Sequence, residues 1–145
     1  MTDSPFSDPP KLSGMAEMMG IHLLTWEPGN VEFGVEVNES HLNKGGVAHG
    51  GLIMTMLDSA LGGSLVSQLP KQEWCATTQL VTNFISPLNV GDKAIARGKV
   101  VRRGKNVAHL AGEIRVDTRL IATASGTWVI WDSQPQSLPG RSSQL

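Results

Sequence analysis

Hydrophobic positions follow two periods along this chain. Val31, Phe33, Val35 and Val37 alternate with Glu32, Gly34 and Glu36, the period-two signature of a half-buried strand over 31–37. Residues 21–26 are predicted to pair with it as a hairpin, because Glu27-Pro28-Gly29-Asn30 between them is rich in turn formers. Leu12 to Met19 predicts a short amphipathic helix ending at Gly20. From Val47 to about Leu69 the spacing becomes three and four, through Leu52, Ile53, Met56, Leu57, Ala60, Leu61 and Leu65. That stretch predicts one long helix, apolar over so much of its circumference that neighbours must wrap it. Gly62 and Gly63 each weaken it by about 1 kcal/mol relative to alanine, so a close approach of neighbouring backbone is expected there. Beyond Trp74 the chain reads as strands near 74–85, 91–102, 106–117 and 121–131. Turns separate them at Ser86-Pro87-Leu88-Asn89, Arg102-Arg103-Gly104-Lys105 and Asp117-Thr118.

The order is helix, two strands, long helix, four strands. No strand–helix–strand alternation occurs, which argues against a doubly wound parallel fold. One helix laid on a six-stranded, mainly antiparallel sheet satisfies the pattern. Such a helix covers only part of the sheet, so a partner is expected on what remains. The 145 residues suit one domain, read as 11–132, with a flexible segment at 1–10 and a flexible tail at 133–145. Twelve basic against thirteen acidic residues give a formal net charge of −1, which points away from nucleic acid and from a membrane surface. The single cysteine, Cys75, rules out an internal disulfide and is expected to be a buried, inert thiol. No basic stretch followed by an apolar run opens the chain, and the Leu52–Leu69 stretch is interrupted by Asp58 and several small polar residues, so a cytoplasmic location is expected.

Candidate chemistry collects between Asn43 and Asp58. Gly50 and Gly51 stand where the long helix should begin, and the first amide N–H groups of a helix lack internal acceptors. Glycines leave those donors uncovered, and the helix dipole adds positive potential. A carbonyl oxygen gaining negative charge would be held there; a plain glycine-rich helix start is the alternative. Neither a dinucleotide nor a Walker phosphate loop fits the spacing. Asp58 lies within the apolar helix with Met54 and Gly62, not basic residues, four positions away. It is either an aspartate on a solvated helix edge or a carboxylate that acts on water or attacks an acyl group. Eight helical residues separate it from Gly50, about 12 Å of rise. If both serve one reaction they must come from different subunits of a two-fold dimer. His49 could orient the substrate or cap the helix. A Ser–His–Asp triad is disfavoured for want of a nucleophile elbow, and His22, His41, His49 and His109 lack metal-ligand spacing. Arg102, Arg103 and Lys105 form the most basic spot of the chain, suited to phosphates or simply to a solvated turn.

Asn43, Gly50 and Asp58, with His49-Gly50-Gly51 opening the helix, resemble the signature of PaaI-like acyl-CoA thioesterases of the hotdog-fold superfamily. The resemblance spans nearly the whole chain. It implies an α+β hotdog fold, a long central helix wrapped by a curved, mainly antiparallel six-stranded sheet, and dimers that pair into tetramers. It further implies that the Gly50 N–H polarises the thioester carbonyl and that Asp58 of the opposite subunit activates water or attacks. Asn43 then positions the water or the thioester, and Thr77 assists the water, with Thr78 as rival after a one-residue slip. The Arg102, Arg103 and Lys105 turn lies near the coenzyme A nucleotide in such proteins. The expected activity is hydrolysis of a small or medium, aryl included, acyl-CoA to free acid and CoA, without metal or external cofactor. Competing readings are a hotdog hydratase or dehydratase, which would use an aspartate–histidine pair in another context, a non-catalytic acyl-CoA-binding module, and a thioesterase for carrier-protein-bound acyl groups.

Overall fold

The structure is a computed structural model that describes residues 4–137. The outermost parts of the two segments expected to be flexible, 1–3 and 138–145, lie outside the described residues. In chain order the elements are α1 (Met15–Met18), β1 (His22–Glu27), β2 (Asn30–Glu36), a 3-10 turn (Glu39–His41), α2 (Gly50–Val66), β3 (Trp74–Phe84), β4 (Lys93–Arg103), β5 (Val107–Val116) and β6 (Arg119–Trp131). The six strands form one sheet in the order β1-β2-β4-β5-β6-β3, antiparallel at every junction. This is the hotdog arrangement that the sequence resemblance implies, with α2 lying across the sheet.

Three boundaries move for local reasons. The predicted helix at 12–19 shrinks to one turn because Gly14 and Gly20 both take positive φ (61° and 68°) and bracket it. The long helix begins at Gly50 rather than Val47, since Ala48 is held in extended backbone, its N–H donating to the Leu88 carbonyl at 2.9 Å. It ends at Val66, where the Ser67 hydroxyl accepts the Gly29 N–H at 2.9 Å and ties the helix end to the first hairpin. Near the N-terminus the chain leans on the same region, as the Ser7 N–H donates to the Leu69 carbonyl and the Trp26 Nε1–H to the Ser7 carbonyl, both at 3.2 Å.

The helix seats on the sheet through glycine, though not through the glycines the helix itself carries. A Cβ on Gly98 would stand 2.3 Å from the Ala60 carbonyl oxygen, and one on Gly112 would stand 2.4 Å from the Leu61 side chain. These bare points of β4 and β5 let the helix backbone sink onto the sheet. Gly62 and Gly63 instead receive side chains, Trp128 against the first and Val31 and Phe33 against the second. Met56, Leu57, Leu61, Leu65, Ile114 and Ile121 close the core with no exposure, each contributing roughly 1.5–3 kcal/mol of burial. Coverage of α2 is incomplete. Met54 (42% exposed) and Asp58 stay exposed on α2, and β3 is an edge strand carrying exposed Val81 and Phe84.

Candidate active site

A tight loop delivers the start of α2. The Asn43 N–H donates to the Val47 carbonyl at 2.8 Å, and the Gly46 N–H, at a residue with φ 79°, donates back to the Asn43 carbonyl at 3.1 Å. Asn43 Oδ1 accepts the Gly45 N–H at 2.8 Å, while its amide nitrogen has no partner among the described residues. His49 is the N-cap, its Nδ1 accepting the Gly51 N–H at 2.9 Å. That bond puts the ring proton on Nε2. The Leu52 N–H goes to the His49 carbonyl. Among the described residues the Gly50 N–H is then left without an acceptor, at the positive end of a 17-residue helix. It opens on a cleft of about 380 Å³ lined by Asn43, Gly50, Ile53, Phe84, Ser86 and Pro87, among others.

Sequence reasoning did not single out Phe84 or the segment after it as part of the site. A Cβ on Gly50 would meet the Phe84 ring at 3.1 Å, so glycine there gives room to the aromatic wall. The only signal was the Ser86-Pro87 turn following β3. Arg119 pins that turn from below, donating to the Pro87 carbonyl and, at 2.7 Å, to Asp92 Oδ2. The Asn89 N–H also donates to Asp92, and together with Arg119 it holds the Asp92 carboxyl below its ordinary value.

Asp58 and Thr77 make a second group. Thr77 Oγ1 donates to Asp58 Oδ1 at 2.7 Å, which leaves the other carboxylate oxygen available. The β3–β6 register slips between Thr77 and Gln79, and this bulge turns Thr78 aside, its hydroxyl donating to the Thr127 carbonyl at 2.9 Å. Of the two threonines, then, Thr77 meets Asp58. Cys75, on the same face of β3, has its thiol pushed up to about 11 from 9.0 by burial, with the Asp58 charge adding to it. Neither Asp58 nor Thr77 lines the cleft at Gly50. Within one chain the sheet and helix bring Asn43 and Gly50 together and Asp58 and Thr77 together, and hold the two pairs apart.

The basic turn divides. Arg103 is engaged by Glu73, whereas Arg102 and Lys105 line a shallow hollow of about 250 Å³ with Asn106 and His109. Among the described residues no three His, Cys, Asp or Glu side chains are grouped to hold a metal ion, and no helix is long and apolar enough to cross a membrane.

Residues 45–122 match the family model of the thioesterase superfamily, and the chain belongs to that superfamily. An esterase-like protein of Pseudomonas aeruginosa is 31% identical over 94 residues, covering 65% of this chain and 70% of its own. Acyl-coenzyme A thioesterase 13 of Mus musculus is 26% identical over 109 residues, 74% of this chain and 77% of that one. Among solved structures, a variant of the phenylacetic acid degradation protein PaaI from Thermus thermophilus superposes with a TM-score of 0.73 at 26% identity, covering 79% and 96% of the two chains.

Proposed function

We propose that this protein hydrolyses acyl-CoA thioesters at sites shared between two copies of the chain. In this reading Gly50 and Asn43 of one copy face Asp58 and Thr77 of the other. The observation that carries it is the Gly50 N–H, without an acceptor among the described residues and opening on the cleft, while Asp58 stands elsewhere on the same helix, paired with Thr77 of β3. Asp58 accepts a proton from water as the water oxygen bonds to the carbonyl carbon. The carbonyl electron pair moves to oxygen, where the Gly50 N–H and the helix dipole stabilise it. Collapse breaks the carbon–sulfur bond and the CoA thiolate leaves, taking up a proton. Thr77, donating to one oxygen of Asp58, keeps the other oriented toward the water. Direct attack by the carboxylate, giving an anhydride that water then opens, uses the same geometry. The named relative that acts on acyl-coenzyme A and the PaaI structure support a CoA ester as substrate. The cleft walls Ile53 and Phe84 favour a small, medium or aryl acyl group.

Subunit complementation tests it. Gly50 is the first helical residue and His49 before it is extended (φ −61°, ψ 138°), so Gly50→Pro removes the donor with little cost to the helix. The exposed Phe84 ring is the neighbour that must give way. Asp58→Asn and Gly50→Pro chains, each inactive alone, should recover activity when refolded together, approaching about one-quarter of wild type for random pairing into two-fold dimers. Demonstrated mixed dimers without activity would defeat the shared site.

A further inference from the structure

His41 is buried, 8% exposed, and takes no part in the chemistry above. Both of its ring nitrogens are engaged. Nδ1 accepts the Asn38 N–H at 3.0 Å, closing a capping box on the 3-10 turn, and Nε2 lies 2.8 Å from the Met19 carbonyl oxygen. A backbone N–H only donates and a carbonyl only accepts, so the two bonds together call for the tautomer with its proton on Nε2. This bond ties down α1, which has no buried residue of its own and leaves Met15 and Met18 exposed. The main chain of His41 reaches the site. Its carbonyl accepts the His49 N–H at 2.7 Å, Leu42 pairs with Ala48, and the Asn43 N–H donates to the Val47 carbonyl. Residues 41–43 thus lie along 47–49 as a short ribbon, with Asn43 at its turn end and Gly50 following His49. His49 has little packing to hold it. It is exposed, beside a hollow of about 360 Å³ that Met18, Met19, His41 and Leu52 line with it. Its orientation rests on hydrogen bonds, through its N–H to His41, its Nδ1 to the Gly51 N–H and its carbonyl to the Leu52 N–H.

Resting on the acyl-CoA reading above, we propose that His41 is a positioning residue for the reaction. Pinned at both ring nitrogens, it sets the ribbon that aims the Gly50 N–H and Asn43 at the thioester. The Gly50 N–H belongs to the His49–Gly50 peptide, so its direction follows from the ψ of His49, 138°. A rotation of that peptide swings the donor off the line to the carbonyl oxygen, and a hydrogen bond weakens steeply with angle. The donor counts most when that oxygen carries charge, in the transition state. Its misplacement is therefore read in kcat, where a shift of about 1 Å costs up to about 10²-fold. Histidine suits the position because its two nitrogens face a donor and an acceptor at once. An aliphatic side chain at 41 would leave the Asn38 N–H and the Met19 carbonyl without these partners and release the ribbon from α1.

His41→Leu removes both ring bonds. Assayed per folded chain, well below its thermal midpoint, it should lose about ten- to a hundredfold in kcat on an acyl-CoA with little change in KM. His41→Gln should restore most of that loss. Glutamine at this place in a capping box also accepts the N-cap N–H, and its amide nitrogen can donate to Met19. His41→Asn can accept from Asn38 but is too short for Met19, so it should fall between the two, and it keeps the test open if His41→Leu folds poorly. A second readout needs no turnover. In amide NMR spectra of the full chain, the Gly50 and Gly51 signals should move in His41→Leu, and the Gly51 amide should exchange roughly tenfold faster or more. Leu110, within β5, should keep its protection, and His41→Gln should return both glycine signals toward wild type. A folded His41→Leu with wild-type kcat would overturn the proposal. So would a fall in kcat with the Gly50 and Gly51 signals unmoved, or a glutamine variant that regains the thermal midpoint but not kcat. The NMR changes in a protein whose wild type cleaves no acyl-CoA would instead remove the hydrolytic reading and leave His41 as the residue that orients the Gly50 amide.

Discussion

Asp58 is exposed on α2 and accepts the Thr77 hydroxyl. Its value to the proposed reaction is as a proton acceptor, so Asp58→Asn should fold and assemble normally yet lose about 10²–10⁴-fold in kcat, with little change in KM. A folded variant with near-native turnover would remove Asp58 from the chemistry. Cys75 behaves oppositely. Burial raises its thiol to about 11 in the folded chain from 9.0, so between those values the unfolded chain releases a proton that the folded chain keeps. Stability from this group is complete below about pH 9 and is lost as pH rises toward 11. Cys75→Ala should flatten that part of the stability curve, measured by urea unfolding from pH 8 to 11; an unchanged slope would contradict the burial. Thr82 is a third case. Its hydroxyl is buried without a partner among the described residues, an arrangement costing about 1–3 kcal/mol. Thr82→Val should therefore raise the thermal midpoint, and a drop would reveal an acceptor supplied by a second subunit.

At the level of elements, α2 serves the site through its two different ends of exposure. Its first turn leaves Gly50 open because His49 caps Gly51 instead, and its middle leaves Asp58 exposed beside β3, where the Thr77 hydroxyl donates to it. The β3 bulge has the same kind of consequence. One extra residue between Thr77 and Gln79 aims Thr77 at Asp58 and sends Thr78 to a backbone carbonyl. The Asp92–Arg119 pair holds the turn that floors the cleft. The Asp92 carboxyl is held below its ordinary value, so its contribution is present above the unfolded value of 3.8 and fades as pH falls through the folded one.

For the molecule as a whole, the sheet ends in β3 on one side with an exposed valine at its middle (Val81, 49%). An edge strand of eleven residues with open backbone groups is a pairing surface. Met54 is exposed on α2, between Gly50 and Asp58. A lysine on such an edge discourages pairing. Val81→Lys should therefore shift the protein toward monomer in sedimentation velocity, with hydrolysis lost in proportion to the monomer fraction. Full activity in a demonstrably monomeric variant would mean that each chain completes its own site.

The long helix, the hairpin before it and the four strands after it were legible in the sequence because each is written in local periodicity. Val31 to Val37 alternate, and Leu52 to Leu65 recur at helical spacing, whatever surrounds them. Gly50 as a helix-start donor was legible for the same reason, since the lack of acceptors at a helix N-terminus follows from the helix alone. Strand order was not. That β3 crosses to the far edge beside β6, and that Gly98 and Gly112 rather than Gly62 and Gly63 take the closest helix approach, depends on residues far apart in sequence. The choice of Thr77 over Thr78 hung on one bulge, a register event that no spacing rule contains. Arg103 read as equivalent to Arg102 until the fold set Glu73 against it. Period and composition are properties of neighbouring residues and survive in the sequence, whereas register, pairing and the company a charge keeps exist only once distant segments are packed together.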